Sequence, residues 1–230
     1  WVNNNNLQLN ICNFEIEDLS SRFGFDVKSK EFNNLVNDIN STDKLVLGGL
    51  HCHFPNRNLQ SYKTRIKTMI ELTEFIFKDK APEFINIGGG YFGNMDEKLK
   101  NQFEIEVPTY KDYGRIIASH LKSSYKKDRP KLILEPGSAL VADCMEFFSK
   151  VISLKEVRGR KIATVAGSNF NTSPTSKETN LPMKVYAKNK RNTYSRDNID
   201  VGGYTCIETD YLQKKFIGDI EVGDFIGLEN

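Results

Sequence analysis

Three glycines follow one another at Gly88-Gly89-Gly90, where the apolar run Phe84-Ile85-Asn86-Ile87 stops. With no side chains in the way, their successive backbone N–H groups can line a concave nest for an anion. A second apolar run, Lys131-Leu132-Ile133-Leu134, ends in Glu135-Pro136-Gly137-Ser138. A third, Leu45 to Leu50, delivers His51-Cys52-His53-Phe54-Pro55-Asn56. Strand alternation puts residues 51 and 53 on one face and Cys52 on the other. An anion cradle, an acid and an imidazole are the chemistry these three endings offer. In a (β/α)₈ barrel, a phosphate commonly sits at the loops after strands 7 and 8. Each residue also has an ordinary structural explanation. The glycines could form a plain tight turn, Glu135 a surface ion pair, and His51 or His53 a satisfied structural contact. Two histidines are too few ligands for a metal site, and none is assigned.

The elements that must position these residues alternate along the first 139 positions. Leu7 to Ile11 reads as a strand. Ser29 can cap a helix running to about Ile39, with Phe32, Leu35, Val36 and Ile39 on one face. After the strand ending at Leu50, Gln60 to Phe77 forms an amphipathic helix whose stripe is Ile66, Met69, Ile70, Thr73 and Phe77. The strand Phe84–Ile87, a helix over Tyr110–Tyr125 and the strand Lys131–Leu134 complete the series. Strands apolar on both faces, separated by helices, predict a parallel sheet covered by helices. From about residue 140 the pattern changes. Segments 147–154, 161–166, 183–187, 198–201 and 218–227 read as strands with turn residues between them and no strong helix. They predict a second, antiparallel β domain over 140–230.

Bulk properties exclude several function classes. The 230 residues carry 32 basic and 30 acidic side chains, a net charge of +2 without a basic stripe, which argues against nucleic-acid binding. The longest apolar stretches are strand-length, too short for a membrane-spanning helix, and no signal peptide is visible. The four cysteines, Cys12, Cys52, Cys144 and Cys206, lack paired spacing. That fits reduced thiols in a cytoplasmic protein better than a disulfide framework or zinc site. Trp1 stands directly before a strand and the last residues also read as strand, so the sequence is expected to be a fragment.

The motifs together identify a family resemblance. His51-Cys52-His53, Ile87-Gly88-Gly89-Gly90-Tyr91, Glu135-Pro136-Gly137 and Gly203-Tyr204-Thr205-Cys206-Ile207-Glu208-Thr209-Asp210 occur in this order. The set resembles the fold-type III pyridoxal-phosphate decarboxylases, the group of diaminopimelate and ornithine decarboxylases. Ser21-Arg22-Phe23-Gly24 resembles that family's Ser-Lys-Phe-Gly segment. The resemblance implies α/β plus β architecture: the second half of a (β/α)₈ barrel over 1–139, then an antiparallel β-barrel or sandwich domain, incomplete at its end, over 140–230. It implies pyridoxal 5'-phosphate as cofactor, an amino-acid substrate and a homodimer with shared active sites. The Schiff-base lysine would lie upstream of Trp1 and a phosphate-binding tyrosine beyond Asn230, so the fragment alone is expected to be inactive.

Residue by residue, the resemblance implies that Gly88, Gly89, Gly90, Tyr91, Asn56, Gly137 and Ser138 hold the cofactor's phosphate end. It implies that His53 stacks on the ring and that Glu135 faces the pyridine nitrogen, keeping the ring an electron sink for a Cα carbanion. Cys206 would reach across the dimer interface and help return a proton to Cα; a buried small hydrophobe is the ordinary alternative for such a cysteine. Ile207, Glu208 and Asp210 would line the substrate, with strand alternation placing Glu208 beside Cys206. Departures stand at Ile207, where several relatives carry an acid, at Ser138, where they carry an arginine, at Asn56, where they carry a serine, and at Asn10, near a usual arginine. The expected reaction is decarboxylation of an amino acid or an amino-acid conjugate. A racemase on the same fold, which would favour an arginine over Glu135, and a non-catalytic cofactor-binding homologue are the alternatives.

Overall fold

The computed structural model describes residues 6–10, 23–172, 180–189 and 197–229. Ile11, Cys12, Ser21 and Arg22 lie outside the described residues, as does the side chain of Asn10. The chain divides into two compact units. The first holds the residues up to Gly93 together with Val107–Leu140; the second holds Asn94–Glu106 and the residues from Val141 onward.

In the first unit, β1 (Asn6–Asn10), β2 (Val46–His51), β3 (Phe84–Asn86) and β4 (Lys131–Ile133) form one sheet in chain order, every pair parallel. Parallel neighbours need helical crossovers, and α1 (Lys30–Asn40), α2 (Leu59–Phe77) and α4 (Tyr110–Ser124) supply them. Each helix begins where a side chain can satisfy its free N–H groups. Ser29 accepts from Phe32 N–H, Asn58 from Ser61 N–H, and Thr109 and Asp112 form a reciprocal capping box. The apolar stripes then seal the sheet. Phe32, Val36 and Ile39 of α1, Ile66, Met69 and Ile70 of α2, and Tyr113 and Ile117 of α4 bury against Leu47, Leu50, Ile85 and Ile87.

The last strand departs from the expected two-sided burial. Leu132 is 39% and Leu134 42% exposed, because β4 is the edge of this sheet. With Tyr110, Ile117 and Leu140 they line an apolar groove of about 410 Å³.

In the second unit a short α3 (Glu97–Lys100) precedes a six-stranded sheet. Its strands are β5 (Glu146–Val157), β6 (Arg160–Val165), β7 (Met183–Tyr186), β8 (Asp197–Gly202), β9 (Tyr211–Gly218) and β10 (Phe225–Glu229), in the spatial order β7-β10-β5-β6-β8-β9. A four-residue helix, α5 (Ser138–Val141), stands between the two sheets in sequence. Two expectations are corrected here. The sheet is not wholly antiparallel, since β6 and β8 run parallel. A long connection separates them, and a crossover of that length permits parallel pairing. Residues 218–227 are not one strand either. Gly223 has φ +99 and Asp224 accepts from the Glu221 N–H, so a turn splits the segment into the end of β9 and the start of β10. The core of this unit is Val151, Ala163, Val165, Ile199, Val201, Leu212, Ile226 and Leu228.

Candidate active site

Three of the sequence-predicted endings meet at the C-terminal edge of the parallel sheet. The Glu135 N–H donates to the Gly88 carbonyl at 3.0 Å, and the Cys52 N–H to the Asn86 carbonyl at 3.0 Å. Glu135 and the glycines therefore share one end of their strands. Packing explains why residues 88 and 89 are glycine. A Cβ at Gly88 would run into the Cys52 carbonyl, and one at Gly89 into the Glu135 carbonyl. Gly88 and Gly90 also hold φ +67 and +85, a left-handed backbone that side chains disfavour.

The hydrogen bonds refine the anion nest. The Gly88 N–H donates to Asn86 Oδ1 at 3.0 Å and the Gly89 N–H to His53 Nδ1 at 3.3 Å. Two of the three glycine amides are thus engaged within the protein. The Gly89 carbonyl turns inward, accepting from Tyr62 Oη at 2.8 Å and Arg65 Nη1 at 2.8 Å. The Gly89–Gly90 peptide is trans, so its N–H points the other way, away from Tyr62 and Arg65.

Glu135 is aligned from two sides. Asn86 Nδ2 donates to Glu135 Oε1 at 2.8 Å, and His51 Nε2 lies 3.4 Å from Glu135 Oε2. The carboxylate stays accessible, its side chain 41% exposed. His51 is more enclosed; burial holds it below its ordinary 6.5, against the opposing pull of Glu135. At neutral pH it is therefore chiefly the neutral imidazole. His53 is exposed beside them, while Cys52 is buried, as alternation requires. The ligand-type atoms of His51, His53 and Glu135 all lie within 4.8 Å of one another. The sequence offered two histidines without a third ligand; the third comes from the end of β4.

Tyr91 is enclosed. Its side chain is 5% exposed and packs in a tyrosine cluster, with ring centroids 4.7 Å from Tyr62 and 5.2 Å from Tyr113. Burial pushes its hydroxyl up to about 12. Asn56 contributes its carbonyl to Arg65 and to Ser61 Oγ, and its side chain is exposed. Gly137 lies in open surroundings and Ser138 opens α5.

The second unit presents the cysteine loop. Chain pairing ends at Gly202, and residues 203–210 form turns rather than strand. The expected pairing of Glu208 with Cys206 by strand alternation does not apply. Cys206, Ile207 and Glu208 are all exposed. Asp210, by contrast, is 4% exposed. Its carboxylate accepts from Thr205 Oγ1 at 2.6 Å, Thr205 N–H at 3.2 Å, Ser168 Oγ at 3.0 Å and Asn169 N–H at 2.8 Å. Burial opposes the charge, but these donors win and hold the carboxyl below its ordinary value. Gly203 has no side chain because the Asp210 carboxylate occupies that space. Asp210 fastens the loop and is not available to grip a substrate.

Sequence reasoning missed Asn86, Tyr62 and Arg65. Asn86 had a signal, as the one polar residue in an apolar strand. Tyr62 and Arg65 continue the buried stripe of α2, and only the structure shows that they reach the glycine loop.

Residues 4–142 match the family model described as pyridoxal-dependent decarboxylase, pyridoxal binding domain. The chain belongs to this family. Among curated proteins it is similar to the diaminopimelate decarboxylase of Methanocaldococcus jannaschii, 29% identical over 220 residues, which cover 90% of this chain and 47% of that protein. The crystal structure of diaminopimelate decarboxylase from M. jannaschii has the same fold, with a TM-score of 0.72 at 22% identity over 91% of this chain and 47% of that one. The arginine decarboxylase of Paramecium bursaria Chlorella virus, solved with agmatine, aligns with a TM-score of 0.71 at 18% identity, covering 97% of this chain and 58% of that one. The chain spans about half the length of the curated relatives it matches. Among the described residues, no helix is long and apolar enough to cross a membrane.

Proposed function

We propose that this chain carries the ring-nitrogen and phosphate side of a pyridoxal-phosphate site, and that the full-length protein decarboxylates an amino acid or an amino-acid conjugate. The observation that carries the reading is Glu135, an accessible carboxylate held at its strand end by Asn86 and His51 beside the glycine loop. The residues present suit the group. The Gly90 amide, turned away from Arg65, suits a phosphate oxygen, an exposed imidazole at His53 suits an aromatic ring face, and a fixed carboxylate suits a protonated ring nitrogen.

When bound, the cofactor supplies an electron sink for the carbanion left by the departing carboxylate. Glu135 would keep the ring nitrogen protonated, and an acid at that position speaks against the racemase alternative. His53 would lie against the ring, and the backbone of Gly90 and Tyr91 would hold the phosphate, with Asn56, Gly137 and Ser138 at its rim. Cys206 would return the proton to Cα, while Ile207 and Glu208 would face the substrate's distal group. Within this reading, residues 1–139 are the second half of a (β/α)₈ barrel and residues 140–230 a β-barrel or sandwich domain. The enzyme is a homodimer whose sites take Cys206 from the partner copy, and thiols outside disulfides at Cys144 and Cys206 suit the cytoplasm.

The test is carbon dioxide release by the full-length protein across a panel of amino acids, with and without pyridoxal 5'-phosphate. Cofactor-dependent release from at least one substrate is expected. A protein that binds the cofactor and releases none would be the non-catalytic homologue.

A further inference from the structure

Arg65 is buried beneath the glycine loop, and each of its partners is neutral. It is 0% exposed. Nη1 donates to the Gly89 carbonyl at 2.8 Å, Nη2 to the Phe54 carbonyl at 3.2 Å and to the Asn56 carbonyl, and Nε to Ser61 Oγ at 3.0 Å. Its guanidinium carbon lies 4.3 Å from the Tyr62 ring centroid and 5.2 Å from that of Phe54. Among the described residues no carboxylate forms an ion pair with it. A guanidinium keeps its proton under all ordinary conditions. Burying such a charge is costly unless dipoles or an anion offset it.

The dipoles it gathers are not scattered. The Phe54 and Asn56 carbonyls belong to the loop after β2, and the Gly89 carbonyl to the loop after β3. By drawing the Gly89 carbonyl toward itself, Arg65 turns the Gly90 N–H away from itself through the same trans peptide. Its own positive charge stands behind that dipole, in a medium that screens poorly.

We infer that Arg65 is a positioning residue for an anion, aiming the Gly89–Gly90 peptide and supplying, from beneath the loop, positive charge for the phosphate group. It does not touch the anion; it acts through the peptide it holds. The inference rests on the proposed cofactor reading for the identity of that anion.

The experiment uses the full-length apoprotein and three probes: pyridoxal 5'-phosphate, pyridoxal and inorganic phosphate. Arg65→Gln keeps polar donors without charge, and Arg65→Lys keeps charge without the fork. Arg65→Gln, folded by circular dichroism, should lose on the order of tenfold of the preference for pyridoxal phosphate over pyridoxal, with pyridoxal affinity nearly constant. Arg65→Lys should retain part of that preference. In the wild type, phosphate should raise the melting temperature above that in chloride at equal ionic strength. An unchanged preference in folded Arg65→Gln overturns the inference. If neither variant folds, the absence of phosphate-specific stabilisation overturns it instead. The two readings fail separately. Arg65-dependent phosphate binding with no added affinity for pyridoxal phosphate would sink the cofactor reading alone. Tight cofactor binding with a phosphate preference indifferent to Arg65 would sink only this inference.

Discussion

Asn86 grips Glu135 and Gly88 at once: its Nδ2 donates to Glu135 Oε1 at 2.8 Å while its Oδ1 accepts the Gly88 N–H at 3.0 Å. One buried amide thus fixes the acid and the first glycine relative to each other. Asn86→Ala would release both and leave a buried N–H without its acceptor. A loss of about 1–3 kcal/mol in urea unfolding is expected, together with weaker binding of pyridoxal phosphate. Unchanged stability and binding would remove Asn86 from the site's framework.

Glu135→Gln tests the acid directly. The amide can still meet Asn86 and His51 but cannot hold a ring proton. Decarboxylation by the full-length protein should fall by roughly two orders of magnitude or more, while cofactor affinity changes little. Turnover equal to the wild type would refute the role given to Glu135.

His51 sets a pH dependence of folding. Burial lowers its folded-state value below the ordinary 6.5, so the unfolded chain binds more protons between the two values. Stability contributed by neutral His51 is present above 6.5, and it is lost as pH falls from there through the lowered folded value. His51→Gln should flatten the slope of unfolding free energy across that window. An equal slope in wild type and variant would show that His51 is not the group responsible.

Asp210→Ala removes the fastener of the 203–210 loop and leaves the Asn169 and Thr205 amides without their acceptor. A cost of about 2 kcal/mol is expected, with faster hydrogen exchange at the Thr205 N–H. Cys206 should also become more reactive toward a thiol reagent as its anchoring loosens. Exchange and labelling identical to the wild type would mean that the loop is held by other contacts.

Ile207 is exposed at the tip of the same loop and offers no charge to a distal ammonium, which would be costly to bury unpaired. On the proposed function, the full-length protein should therefore handle ornithine, lysine and meso-diaminopimelate poorly, and Ile207→Asp should raise its efficiency on a diamino acid. Steady-state kinetics decide the matter, and high wild-type efficiency on a diamino acid would contradict it.

Much of the first unit was legible because its signals are local. Ser29 caps α1 as its position suggests, and three of the four parallel strands, β2, β3 and β4, fall where apolar runs end in histidine, glycine or acid. Those endings also marked the site, since Gly89, His53 and Glu135 converge. The unread parts depend on partners distant in sequence. Arg65 looks like a surface residue until Gly89, 24 positions away, comes to rest on it. The strand Tyr211–Gly218 escaped notice because lysines interrupt its alternation, and the turn at Gly223 was hidden within a strand-like alternation of acidic and apolar residues. The parallel pairing of β6 with β8 leaves no local trace, because register across a long connection is decided by the rest of the sheet.

The Asp210 lock divides its loop into a rigid base and a free tip. Gly203, Thr205 and Asp210 are bound to one another and to Ser168 and Asn169, whereas Cys206, Ile207 and Glu208 project outward. A substitution at the base would disturb the fold, but one at the tip would alter only what the tip meets. If the tip faces a substrate, as the proposed function has it, single replacements there would change that contact without an accompanying loss of stability. On that reading, residues 206–208 are the place to randomise in a library intended to change what the full-length protein accepts.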